Sequence, residues 1–342
     1  MTTESTLMHR EAAQAGGVVR QQLEHNGPIL DALVARLRAQ PPPAVITCAR
    51  GSSDHAATFA KYLLETRLGV LTASAAPSVS SVYFTPQNLN GCLFLAISQS
   101  GASPDILAAA AAAQRAGALV VAMVNVLDSP LARAADFCLP LHAGEERSVA
   151  ATKSFIASLT AIIALVGRWA ADDAIADALA QSPGLLEQAW RLDWQAALPL
   201  FSRSDNLFIM GRGLGLGIAY EAALKCKETC GLHAEGFSSA EVQHGPQALL
   251  GVDFPALLLA QQDETLAGIR QVAIDLAARG VPLAVAGCQV PEAISLPTLS
   301  CHPVIQPMLL IQSFYRLANA VAVSRGFNPD QPAHLRKVTE TT

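Results

Sequence analysis

Cys92-Leu93-Phe94-Leu95-Ala96-Ile97-Ser98-Gln99-Ser100-Gly101-Ala102-Ser103-Pro104-Asp105 reads as a strand, a turn and a helix start. The apolar run ends at Ile97, three hydroxyls follow, and an alanine-rich segment with helical character begins at Pro104. Ser103 stands where an N-cap belongs and Pro104 where the first helical residue belongs. Hydroxyls and backbone N–H groups then converge on a helix N-terminus, a geometry that holds an anion without lysine. Serines and a glycine also make ordinary polar turns. The order strand, hydroxyl cluster, N-cap, helix is what points to the phosphate of a small metabolite.

Of the 342 residues, 51% are hydrophobic and 15% charged, which describes a well-buried chain with room for two domains. A net charge of −5, without a block of consecutive Lys or Arg, argues against nucleic acid or an anionic membrane as partner. No charged start with an apolar run behind it opens the sequence, and Gln114-Arg115 and Arg168 break the most apolar stretches. A cytoplasmic protein, neither exported nor membrane-inserted, is the expectation. Seven cysteines, at 48, 92, 138, 226, 230, 288 and 301, lie scattered in apolar runs and read as reduced, buried thiols. Cys226, Cys230 and His233 do not match a common zinc spacing, so no metal site is expected.

The chain also reads as a duplication. Val45-Ile46-Thr47-Cys48-Ala49-Arg50-Gly51-Ser52-Ser53 can be laid over Leu207-Phe208-Ile209-Met210-Gly211-Arg212-Gly213-Leu214-Gly215, each a strand, an Arg-Gly turn and a helix. Each half then supplies a further strand (93–97 and 256–260), a helix ending in Arg115-Ala116-Gly117 or Arg279-Gly280, and another strand (119–124 and 282–286). Such alternation predicts two α/β domains, each a parallel sheet sandwiched between helices, with ligands beyond the strand C-termini. Residues 172–198 read as a helical connector broken at Ser182-Pro183-Gly184, and the segment before the first strand as a short helix with a loop. Only the first half keeps hydroxyls after its strands. The second gathers Lys225, Glu228, His233, Glu235, Glu241 and His244, so one half is expected to hold a ligand and the other to supply acid/base chemistry.

With Arg50-Gly51-Ser52-Ser53 and Ser98-Gln99-Ser100-Gly101 stand Val149-Ala150-Ala151-Thr152-Lys153, Leu224-Lys225-Cys226-Lys227-Glu228, His233-Ala234-Glu235, His244-Gly245-Pro246 and Asp330-Gln331-Pro332 with Lys337 beyond. On these motifs the chain resembles tandem sugar isomerase (SIS) domain proteins, namely the isomerase half of glucosamine-6-phosphate synthase and the synthase-like glucosamine-6-phosphate deaminases. The resemblance implies two flavodoxin-like three-layer αβα domains. It gives an N-terminal helical segment (1–35), a first SIS domain that binds phosphosugar (36–171), a connector (172–198), a second SIS domain (199–328) and an active-site tail (329–342).

By the same resemblance Ser98, Gln99, Ser100 and Ser103 hold the sugar phosphate, Ser52 and Ser53 line the pocket, and Val149 and Ala151 lie against the sugar. Ala151 stands where the family often has serine, one hydroxyl contact fewer. Glu228 matches the base that moves a proton between C1 and C2, with Lys225 tuning it; an exposed Lys225–Glu228 helix salt bridge is the plainer reading. His244 matches the residue that opens the sugar ring and reaches the pocket from the neighbouring subunit of a homodimer; the alternative is a histidine shaping the His-Gly-Pro turn. Lys337 matches a lysine that forms a Schiff base with the open ketose or steadies it; an ordinary solvated tail lysine is the other reading.

Thr2 follows Met1, where the synthase has its glutaminase nucleophile, so synthesis from glutamine is not expected of this chain. The resemblance then implies an isomerising deaminase that converts glucosamine 6-phosphate to fructose 6-phosphate and ammonia, with no cofactor. A deaminase, deglycase or isomerase for another sugar phosphate, and a non-catalytic phosphosugar sensor, remain open at this stage.

Overall fold

A computed structural model of the protein describes residues 2–337. Met1 and residues 338–342 of the expected tail lie outside the described residues. Two parallel five-stranded sheets flanked by helices form the chain, the three-layer α/β architecture the sequence predicts.

The first sheet comprises β1 (Val45–Cys48), β2 (Thr72–Ser74), β3 (Leu93–Ser98), β4 (Leu119–Val124) and β5 (Phe137–Pro140), in the order β2-β1-β3-β4-β5. The second comprises β6 (Asn206–Gly211), β7 (His233–Ser238), β8 (Ala256–Leu259), β9 (Leu283–Ala286) and β10 (Ile294–Leu296), in the order β7-β6-β8-β9-β10. The two orders are the same. Each opens a crevice where neighbouring connections leave in opposite directions, between β1 and β3 and between β6 and β8.

Every residue of β3 is buried, as a central strand covered on both faces requires. Alanines let the helix Pro104–Arg115 lie close to it: Ile106, Ala109, Ala110 and Ala113 pack with Phe94, Ala96, Val120 and Ala122. In the second sheet Phe208, Met210, Leu258 and Val285 pack with Ile269, Val272, Ala273 and Leu276 of the helix Leu266–Ala278. The Phe208 ring lies edge-on to Phe237 and Phe254, each 4.7 Å away between centroids.

Contacts divide the chain into two compact units. One holds residues 17–145 and 154–180 with the first sheet, together with Arg336 and Lys337; the other holds residues up to 16, 146–153 and 181–335 with the second. Chain order alone does not give the grouping of 146–153 with the second sheet.

Two local expectations are corrected. The connector is not broken at Pro183: one helix runs from Asp173 to Arg191 with that proline inside it. Pro183 withholds one N–H from the ladder, yet Ile175, Ala178, Leu179, Ser182, Leu186 and Ala189 are buried at helical spacing, and that burial keeps the helix continuous. Before β1 stand three helices, Leu7–Ala12, Ala15–His25 and Gly27–Ala39, rather than one with a loop; Pro28 opens the third as a favourable early-turn residue. The helix Lys153–Ala170 has the length and hydropathy of a membrane span, but 83% of it is buried inside the fold, as in a core helix.

Gly51 and Gly213 occupy matching positions after β1 and β6, with φ of +56° and +55°. A Cβ on Gly51 would meet nothing within 4 Å, so only backbone strain opposes a side chain there. Gly51→Ala is expected to cost about 1–3 kcal/mol, read as a lower urea midpoint with an unchanged slope; a midpoint equal to wild type would contradict the strain.

Candidate active site

The loops after β1 and β3 flank the first crevice. β1 leads through Arg50-Gly51 into the helix Ser52–Leu68, which places Ser52 and Ser53 in its first turn. β3 leads through Ser98–Ser103 into the helix Pro104–Arg115. Gly101 has φ +61°, and a Cβ there would lie 2.2 Å from the Ser129 hydroxyl, so the loop is pressed against that serine. The turn's carbonyls point to the β4 side, where Asn125 N–H donates to the Gln99 oxygen (3.1 Å) and Leu131 N–H to the Gly101 oxygen (3.1 Å).

Ser98 and Ser100 accept from the loop's own amides, Gly101 (3.2 Å) and Ala102 (3.4 Å). Ser103 takes the N-cap position with Pro104 behind it, but its hydroxyl makes no capping bond. The sequence reading holds for the position and is corrected for the bond: Ser103 caps the helix without a side-chain hydrogen bond.

Arg50 crosses the crevice to Asp105. Its Nε and a terminal nitrogen reach the same carboxylate oxygen at 2.8 and 2.7 Å, and the other oxygen accepts the Ile106 amide at 2.8 Å. Asp105 is buried in the first turn of its helix, where a negative charge is favoured, while Arg50 is half exposed. Beneath them, burial and then the Asp105 charge push the Cys48 thiol up to about 12.

In the other unit, the helix Gly215–Cys230 carries Glu221, Lys225 and Glu228 on one stripe. Lys225 has no exposed surface; Glu221 lies 3.4 Å from its ammonium and Glu228 pairs with it more closely. Tyr315 donates its hydroxyl to Glu221 at 3.2 Å. Burial alone would push the Lys225 ammonium down, but Glu221 and Glu228 outweigh it and hold its pKa above the usual lysine range, with a smaller contribution from Glu146. Burial, then Glu221, pushes Tyr315 well up, so its phenol stays a donor. Glu228 is 20% exposed, the one acid of the stripe that reaches solvent. The Lys225–Glu228 pair is therefore no exposed salt bridge.

Val149 and Ala151, both half-buried, belong to this unit, in a loop headed by the buried Glu146. His244 ends a short 3-10 turn, Glu241–His244, and is exposed; among the described residues its ring has no hydrogen bond. His233 and Glu235 are exposed at 66% and 48% on the edge strand β7 and Glu241 is exposed too, so they do not join the Lys225 cluster. Lys337 is half-buried just after the Asp330-Gln331-Pro332 turn. Cys226 and Cys230 are buried, and all seven cysteines are free.

Sequence reasoning missed Asp105, Glu146, Glu221 and Tyr315. Glu221 stands four residues before Lys225, a readable helix pairing, and Asp105 follows the helix-opening Pro104. Nothing near Tyr315 in sequence points to Glu221.

The SIS domain model matches residues 41–168 and 200–294, one copy on each sheet. The chain belongs to the SIS domain family. A provisionally assigned phosphosugar isomerase from Silicibacter pomeroyi DSS-3 shares 42% identity and superposes with a TM-score of 0.91, covering 95% of this chain and 100% of that one. The C-terminal domain of glucosamine-fructose-6-phosphate aminotransferase from Francisella tularensis gives 0.87 at 26% identity, covering 96% and 98%. The isomerizing glutamine–fructose-6-phosphate aminotransferase of Thermotoga maritima is 30% identical over 96% of this chain and 60% of its own length. This SIS protein spans between 49% and 60% of the length of such curated relatives.

Cys48, with a thiol raised from 9.0 to about 12, and the raised Lys225 each hold a proton more tightly folded than unfolded. Their contribution to stability is full below the unfolded pKa and is lost as pH rises through the folded value. Urea midpoints are expected to fall steadily above about pH 9 and to fall less steeply in Cys48→Ala; a midpoint that rises with alkali would contradict the assignment.

Proposed function

We propose that this SIS protein is an isomerising deaminase that converts glucosamine 6-phosphate and water to fructose 6-phosphate and ammonia. The observation that carries the reading is Glu228: a carboxylate paired with a buried ammonium, yet partly exposed to solvent. Similarity over nearly the whole chain to aminotransferases whose name includes isomerisation supports the sugar chemistry.

In this reading the phosphate sits against Ser98, Gln99, Ser100 and Ser103, with Ser52 and Ser53 beside it, and the sugar lies along Val149 and Ala151. The exposed His244, supplied by the neighbouring subunit of a homodimer, exchanges the proton that opens the ring. Glu228 takes the proton from C2, giving an enolamine, and returns it to C1. The product is a C2 imine; water adds to it, and ammonia leaves as the ketone forms. Lys225 keeps Glu228 oriented, and Lys337 steadies the open chain. The substrate's own carbonyl and amine accept the electrons, so the steps require no cofactor. A cytoplasmic setting suits a phosphorylated metabolite.

Ala151 favours a second reading, the same chemistry on a different amino-sugar or glycated amine phosphate, because it offers no hydroxyl to the sugar.

Glucosamine 6-phosphate, galactosamine 6-phosphate and fructose 6-phosphate, with ammonia and ketose followed separately, are the test. Ammonia and ketose in equal amounts are expected from the first. Glu228→Gln is expected to lower turnover by roughly a thousandfold while sparing sugar-phosphate binding; retained turnover removes Glu228 from the mechanism. Mixing inactive Glu228→Gln and His244→Ala proteins is expected to restore activity if the site is shared, and no restoration argues against a partner histidine.

A further inference from the structure

The loop that carries Val149 and Ala151 is folded around a carboxylate from the far end of the sequence. Glu11, 6% exposed on the helix Leu7–Ala12, accepts the Arg147 amide through one oxygen (2.6 Å) and the Ser148 amide through the other (3.0 Å). The next amide, Val149, donates to the Asp330 carbonyl at 3.4 Å. The Asp330 carboxylate in turn accepts the Leu7 and Met8 amides at 2.7 and 2.8 Å, tying the short helix to the same turn. At the loop's other end Glu146 accepts the Thr152 amide at 2.9 Å, and the Lys153 ammonium donates to the Gln14 side chain at 2.8 Å. Among the described residues the amides of Ala150 and Ala151 have no acceptor, so they are what the loop has left to offer.

We propose that Glu11 is a positioning residue for substrate: by holding two consecutive amides it fixes the face that Val149 to Ala151 present. The inference rests on the reading that this loop lines the sugar. Two successive N–H groups converging on one carboxylate fix the orientation of both peptide planes, and charge-assisted bonds are among the stronger ones; the one to Ser148 is buried and the one to Arg147 part-buried. Ser148 is fully buried, so water cannot replace the acceptor if it is lost. A glutamine has the same shape but only one accepting oxygen; its NH2 would face an N–H. An aspartate keeps both oxygens on a shorter stem.

The test compares wild type, Glu11→Gln and Glu11→Asp. Backbone hydrogen exchange across residues 146–152 is expected to be about tenfold or more faster in Glu11→Gln, with exchange across residues 93–103 unchanged, and largely restored in Glu11→Asp. KM for glucosamine 6-phosphate is expected to rise about tenfold in Glu11→Gln with a smaller change in kcat, and to recover in part in Glu11→Asp. Unchanged exchange across 146–152 overturns the proposal, and so does faster exchange with KM unmoved. The exchange comparison needs no substrate, so a protein that releases no ammonia would sink the reading of the reaction while Glu11 is still decided. Should Glu11→Gln fail to fold, Glu11→Asp carries the test: a KM equal to wild type with the loop displaced would then overturn it.

Discussion

An ammonium with no exposed surface persists in a fold only where fixed negative charge surrounds it. Lys225 meets that condition through Glu221 one turn before it and Glu228 one turn after it, with Glu146 adding to the field. Positions i, i+4 and i+7 of an amphipathic helix normally make its apolar seam; here they carry an ionic stripe that must face inward. Breaking such a pair leaves a bare buried charge and costs roughly 3–5 kcal/mol, so the helix is held in one rotational setting. Glu228, the partly exposed end of the stripe, inherits that rigidity. In the proposed reaction that orientation is what Lys225 supplies to Glu228.

The duplication sets different side chains on one architecture. Both sheets have the same strand order, and both Arg-Gly turns use a left-handed glycine at the same place. After β3 the loop is short-sided and hydroxyl-rich, with Arg50 and Asp105 bracing its entrance. After β8 the matching ground is filled: Gln261 is buried within 3.2 Å of where a Gly215 side chain would begin, Asp263 accepts the Thr265 amide at 2.9 Å, and Gln306 accepts the Gln262 amide at 2.6 Å. The second crevice thus carries amide and carboxylate side chains bonded to nearby backbone where the first carries hydroxyls.

Carboxylates also organise backbone in this charge-poor chain. Asp105, Glu11, Glu146 and Asp330 each accept main-chain N–H groups, at 2.6 to 3.0 Å: Asp105 and Asp330 in the first turns of helices, Glu11 and Glu146 in the loop between β5 and the helix Lys153–Ala170. Such bonds are directional and fix the orientation of the peptide planes they hold.

The sequence by itself determined the alternation of apolar strands and helices, the Arg-Gly duplication and the Ser98–Ser103 turn, because strand burial, glycine turns and helix starts are decided within a few residues. It also determined which residues carry acid/base groups, and Glu221 was within reach of the same helical spacing. Only the tertiary structure decided that Pro183 lies inside a helix, that Ser103 leaves the helix uncapped, that His233 and Glu235 sit on an exposed edge, and that Tyr315 and Glu11 serve groups far from them in sequence. Those outcomes depend on burial and on hydrogen bonds between segments up to hundreds of residues apart. No local pattern encodes such partners; they are fixed when the core closes and each buried amide and charge must find its complement.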